Sequence, residues 1–113
     1  MKEIRAYIQP FMLSKLTQTL QAIPGFPGMS ISDCEGFGEK KINSKQDYSP
    51  YMPRKRIEIF APDELVDVIF NTVMAAANTH QPGAGRVYII DVEKSGHISA
   101  GAPGYSWDST DNV

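Results

Sequence analysis

Cysteine is almost absent: Cys34 is the single one among 113 residues. That excludes an intramolecular disulfide framework, and no second Cys stands at the spacing a structural zinc site needs. A reducing compartment suits such a chain, and the cytoplasm is the expected location. Histidine is nearly as scarce. Neither His80 nor His97 has a Ser, Cys or Asp placed beside it by the sequence, so neither a nucleophile nor an acid-base pair is in view. No catalytic residue, no metal and no enzyme activity are expected. Long apolar runs are missing too, which leaves nothing for a signal segment or a membrane span. The net charge is only -2 at pH 7, giving no general attraction to nucleic acid or to an anionic membrane.

What is present suffices for one compact domain over residues 1–113, since 42% of the chain is hydrophobic and two domains would each be too small to stand alone. Ile4, Ala6 and Ile8 alternate with Glu3, Arg5 and Tyr7, the period of a half-buried strand. Pro10 ends it. Leu13, Leu16, Leu20 and Ile23 then recur at helical spacing, and the run from Pro24 to Gly28 stops the helix. Met29 to Glu35 reads as a weaker strand, with Met29, Ile31 and Asp33 on one face and Ser30, Ser32 and Cys34 on the other. Cys34 there reads as a small apolar residue rather than a reactive thiol.

A polar stretch follows, from residue 39 to 53, expected as a long exposed loop. Arg54 to Ala61 alternates again through Ile57 and Ile59. Pro62, with Asp63 and Glu64 behind it, is a good helix start, and Leu65, Ile69, Val73 and Ala76 or Ala77 form the expected buried stripe. Arg86 to Val92 is a fourth strand rich in β-branched and aromatic residues. The order β-α-β-β-α-β specifies an α+β, ferredoxin-like fold: a four-stranded antiparallel sheet with two helices on one face. Residues 94–113 form a polar tail that docks on something or stays mobile.

Four features can carry chemistry. Between the second helix and the fourth strand, Gly83 and Gly85 leave no Cβ in the way of a phosphate, and Arg86 offers a donor fork; a plain turn needing positive φ is the other reading. Gly36-Phe37-Gly38 allows either a close backbone approach to a ligand or a bulge at a strand end. In the long loop, Tyr48 and Tyr51 suit partner contact or cover an apolar edge. Arg54, Lys55 and Arg56 are a solvated strand entry or a short phosphate track.

Taken in order, Met1 to Phe11, Gly28-Met29-Ser30, Gly36-Phe37-Gly38, Pro53 to Ile59 and Thr79 to Val92 resemble the PII signal-transduction family over nearly the whole chain. The resemblance implies a homotrimer that binds adenine nucleotide in the clefts between subunits, with two glycine pairs from adjoining protomers converging on one anion. It implies that Ser30, Gly36, Phe37, Gly38, Phe60, Gly83, Ala84, Gly85 and Arg86 line that site. The long loop, with Tyr48 and Tyr51, would control a partner, a transporter or an enzyme, and any membrane contact would come through that partner.

Departures from the family pattern refine these expectations. Lys40 stands where the family usually has a Gln that serves a metal-bridged 2-oxoglutarate site, so such sensing is not expected. Ala84 replaces the usual Asp, and His97 and Ser99 replace two Arg residues that grip phosphates. Fewer charges near the distal phosphates favour ADP or AMP over ATP, each lost charge-assisted contact costing about 1.5–3 kcal/mol. The loop is short and its tyrosines lack the usual modified context, so uridylylation is not expected. Bicarbonate is a candidate second effector, held by Lys40, Lys41 and Arg54, with Arg56, His97 and Ser99 as further effector or C-terminal contacts.

Two alternatives remain beside an energy, carbon or nitrogen sensor: a PII-like regulator of a metal-efflux transporter, and a single-stranded RNA module stacking bases on Tyr7 and Phe60. The charge balance opposes the latter, and no nucleic-acid partner is expected. A small acyl-phosphate hydrolase on the same fold lacks a positioned nucleophile or an Arg-Asn pair.

Overall fold

A computed structural model describes residues 1–37 and 50–101. Gly38, Lys40, Lys41 and Tyr48 lie outside them, as does the tail beyond residue 101. Four strands form one sheet: β1 (Lys2–Ile8), β2 (Ser30–Gly36), β3 (Met52–Ala61) and β4 (Gly85–Asp91), ordered β2-β3-β1-β4. Every neighbouring pair is antiparallel. Helix α1 (Leu13–Gln21) joins β1 to β2 and helix α2 (Asp63–Ala76) joins β3 to β4, so the two β-α-β halves interleave as the ferredoxin-like arrangement requires.

Strand alternation divides the sheet into two faces. Ile4, Ala6, Ile8, Ile57, Ile59 and Ala61 point to the helices and join Leu16, Leu20, Ile69 and Val73 in one buried core. Residues of the opposite phase, Glu3, Arg5, Tyr7, Arg56, Glu58 and Phe60, face away from the helices and neighbour one another in register. Glu3 is nearly buried there, and Arg5 stabilises its carboxylate with two donated bonds, Nε at 2.8 Å and Nη2 at 2.9 Å. This bidentate pairing compensates the desolvated charge.

Helix α2 begins where the sequence indicates: Pro62 is its extended N-cap and Asp63 and Glu64 occupy the first turn, where carboxylates complement the helix dipole. Its buried stripe differs from the expected one. Val66, not Leu65, is buried with Ile69, Val73 and Ala76. Both positions satisfy helical spacing to Ile69, but Leu65 is turned to the rim, its Cδ1 within 3.6 Å of a Cβ placed on Gly25. It packs partly buried against the core from there.

The strand bounds also differ a little. β3 starts at Met52, before the Arg54 expected, because Met52 and Pro53 pair with Gly36 and Glu35. β2 and β4 are each displaced by one residue from their expected spans, to Ser30–Gly36 and Gly85–Asp91. Both are edge strands. Ile31 on the helix-side phase of β2 stays 45% exposed, which explains why its apolar pattern is weak: helical cover does not reach the edge.

Candidate functional site

Three segments meet at one end of the sheet: the end of β1, the glycine turn before β4, and the start of β3. Gly85 is fixed by sterics. Its φ is +126°, and a Cβ there would fall 1.9 Å from the Tyr7 carbonyl oxygen, so only glycine lets the two backbones meet. Gly83 has φ +85°, and a Cβ on it would meet Arg54 Nη2 and Gln9 Nε2, each at 3.8 Å. The Gln9 side-chain amide donates to the Gly83 carbonyl at 2.8 Å. Upstream, His80 takes the left-handed conformation at φ 59°, and its N–H donates to Asn78 Oδ1 at 2.8 Å. That local bond supports a backbone state uncommon outside glycine.

Arg54 connects the two glycine segments. A Cβ on Gly36 would lie 3.7 Å from Arg54 Cγ, while Arg54 Nη2 sits beside Gly83. Arg54 is half-buried, its Nη1 donating to the Pro53 carbonyl at 2.7 Å, so the guanidinium is oriented by its own strand. Across the ladder it faces Cys34, which is half-buried rather than fully buried. Within one chain, Gly36 and Gly83 flank the same arginine. Register is the reason, since β1 carries Gln9 just past the partner positions of both Lys55 and Gly85.

A cleft of about 200 Å³ opens beside this junction, its wall including Tyr7, Asn78, Ala84, Gly85 and Arg86. Arg86 is exposed and faces Tyr7 across the ladder. Tyr7 packs edge-on to Tyr88, ring centroids 6.4 Å apart. The cleft thus combines backbone glycine, one guanidinium and an aromatic wall, with Arg54 outside its lining, a set suited to an anionic group. At the loop base, Phe37 and Tyr51 lie with centroids 5.9 Å apart, so Tyr51 covers an aromatic neighbour while both remain exposed.

Other expected site residues lie elsewhere. Ser30 pairs with Glu58 and Phe60 with Glu3, whereas Gly36 ends β2 at the Met52 end of β3. Six strand steps carry Gly36 about 20 Å from Ser30. Within one chain Ser30 and Phe60 are therefore not part of the Arg54 junction. His97 and Ser99 follow β4, which leaves the sheet beside Lys2, opposite the glycine turn; His97 caps a short 3-10 turn at Ile98–Ala100. Arg56 faces Tyr7 and Ser32, with its Nη2 3.5 Å from a Glu58 oxygen. Tyr7 and Phe60 sit on the helix-free face with the Arg5–Glu3 and Arg56–Glu58 pairs between them.

Among the described residues no group of three or more His, Cys, Asp or Glu could hold a metal ion, and no helix is long and apolar enough to cross a membrane. Gln9 is the contributor that sequence reasoning misses. It carries no motif, and its partner Gly83 lies 74 residues away.

Comparison with known proteins gives this junction a context. Residues 1–102 match the family described as nitrogen regulatory protein P-II. The chain is 30% identical over 109 residues to the nitrogen regulatory protein P-II of Rhodobacter capsulatus, covering 92% of this chain and 96% of that protein. It is 32% identical over 106 residues to the nitrogen regulatory protein P-II 1 of Escherichia coli strain K12, covering 89% of this chain and 94% of the relative. The corresponding protein of Haemophilus influenzae is 33% identical over the same length, with the same coverage. A match of this extent, on a four-stranded sheet with two helices, places the chain in the P-II family of nitrogen regulatory proteins.

Proposed function

We propose that this protein is a P-II-type regulator that binds adenine nucleotide at the Arg54 junction and passes the bound state to a partner through the loop of residues 39–53. The observation that carries the reading is Arg54 held between Gly36 and Gly83, a cation framed by two glycine backbones that carry no Cβ. ADP or AMP is the favoured ligand over ATP, because Ala84, His97 and Ser99 offer no fixed cation to the distal phosphates. Bicarbonate, held by Lys40, Lys41 and Arg54, is the proposed second effector, and a transporter or enzyme is the proposed partner.

A homotrimer completes the reading. Ser30 and Phe60, remote from the junction in one chain, reach it when supplied by a neighbouring copy. The helix-free face supports such an assembly: Phe60 and Tyr88 are each more than 40% exposed. Arg56 Nε is buried with no hydrogen-bond partner among the described residues, and an acceptor from a second copy would relieve that cost. Titration calorimetry with ATP, ADP, AMP and cyclic AMP, together with light scattering, tests the proposal. A monomer indifferent to all four nucleotides would refute it.

A further inference from the structure

We infer that Gln9 is a positioning residue for the glycine turn, setting the Gly83–Ala84 peptide for an incoming anion; the ligand half of this rests on the adenylate reading above. Gln9 is itself firmly placed. It is the extended N-cap of the 3-10 turn Pro10–Met12, at φ -65° and ψ 136°, and its carbonyl accepts the Met12 N–H at 3.0 Å. The following proline restricts its backbone further. From this anchor its side-chain amide reaches the Gly83 carbonyl at 2.8 Å.

The consequence follows from peptide geometry. No peptide bond among the described residues is cis, and in a planar trans peptide the C=O and the next N–H point in opposite directions. Holding the Gly83 carbonyl toward Gln9 therefore turns the Ala84 N–H away from it. Gly83 alone would not hold this orientation, because its positive φ is one of several states open to glycine. Gln9 also adds no charge beside Arg54, whose Nη2 lies on the same side of Gly83. The amide thus fixes the turn while leaving the guanidinium as the cation of the junction.

Three variants of the full chain separate this role from a merely structural one. Gln9→Leu keeps the bulk and removes the donor, Gln9→Glu replaces the donor by an acceptor, and Gln9→Lys restores a donor. The order parameter of the Ala84 amide is followed by NMR relaxation without ligand, ADP affinity by calorimetry, and the melting temperature alongside. The Leu and Glu variants should lower the order parameter at Ala84 and bind ADP roughly three- to tenfold more weakly, the range for one lost hydrogen bond. Melting temperatures should stay near that of the parent, and Gln9→Lys should restore the order parameter, the readout its added charge does not itself supply. An unchanged order parameter in Gln9→Leu overturns the clamp. A lowered order parameter with unchanged ADP affinity in Gln9→Leu, or no restored order in Gln9→Lys, overturns the positioning role. A parent protein that binds no adenylate removes the ligand half together with the nucleotide reading, and the order-parameter comparison then decides the clamp alone.

Discussion

The Tyr7 carbonyl oxygen occupies the space into which any side chain at position 85 would grow, 1.9 Å from where a Cβ on Gly85 would stand. The contact joins β1 to β4 at the mouth of the candidate site. Gly85→Ala must move one of two backbones as well as bear φ +126°, so we expect a loss of roughly 2–4 kcal/mol in urea denaturation. Gly83→Ala meets nothing closer than 3.8 Å and should cost only about 1–2 kcal/mol of backbone strain. Equal losses at the two positions would show that the Tyr7 contact does not constrain the turn.

Arg54 tests the ligand reading more directly than stability does. A guanidinium contact to phosphate is charge-assisted, and losing one costs about 1.5–3 kcal/mol, so Arg54→Ala should weaken ADP binding by ten- to a hundredfold or somewhat more. Since its own bonds are to exposed groups of its strand, the melting temperature should change little. Calorimetry that finds ADP binding undiminished in Arg54→Ala would move the anion site away from this junction.

Much of this architecture is legible in the chain, and the limits have physical causes. Ile4, Ala6 and Ile8 alternate on a strand flanked on both sides, and all three are buried; a periodic signal is complete where cover is complete. At Ile31, on an edge, the same alternation yields a half-covered side chain. Leu65 and Val66 both fit the helical period, and which of them goes inward is set by how the helix is seated on the sheet, with Leu65 left beside Gly25. The glycines at 83 and 85 announce a turn, but the reason for the second is a carbonyl on another strand, and the clamp of Gln9 on the first has no local trace. Long-range pairings of that kind are invisible to residue spacing.

Two ion pairs link the start of β1 to helix α2 and to the end of β4 and set a pH dependence. The N-terminal ammonium donates to Asp63 at 2.7 Å, and Lys2 donates to Asp91. The first bond holds the Asp63 carboxyl below its ordinary value, and the bond from Lys2 does the same for Asp91. Lys2 is raised, chiefly by that hydrogen bond. A carboxylate with a lowered folded pKa contributes stability that is present above its unfolded pKa, near 3.9, and lost as pH falls through the folded value. For Lys2 the contribution is full below the unfolded pKa, near 10.4, and lost as pH rises through the folded value. A Lys2→Met/Asp91→Asn double-mutant cycle should therefore show favourable coupling at pH 7 that disappears in strong acid and in strong base. It should also shrink with added salt, as these groups are solvent-exposed. Coupling that does not weaken at either pH extreme would contradict the assignment.

Phe60 offers the sharpest test of assembly, because it stands on the helix-free face, 43% exposed, at the opposite end of β3 from Arg54. On a lone chain a substitution there disturbs little, since its strand neighbours Ile59 and Ala61 carry the core contacts. In a trimer packed through this face, a carboxylate at position 60 would be desolvated beside Glu3 and Glu58, and burying an unpaired charge among like charges is strongly unfavourable. Phe60→Glu should thus shift the light-scattering mass from three chains to one while far-UV circular dichroism stays unchanged. ADP binding should fall with it, because Ser30 and Phe60 would no longer be brought to the Arg54 junction of a neighbour. A folded Phe60→Glu trimer would place the contact surface elsewhere, and a monomeric variant with full ADP affinity would make the junction a site complete within a single chain.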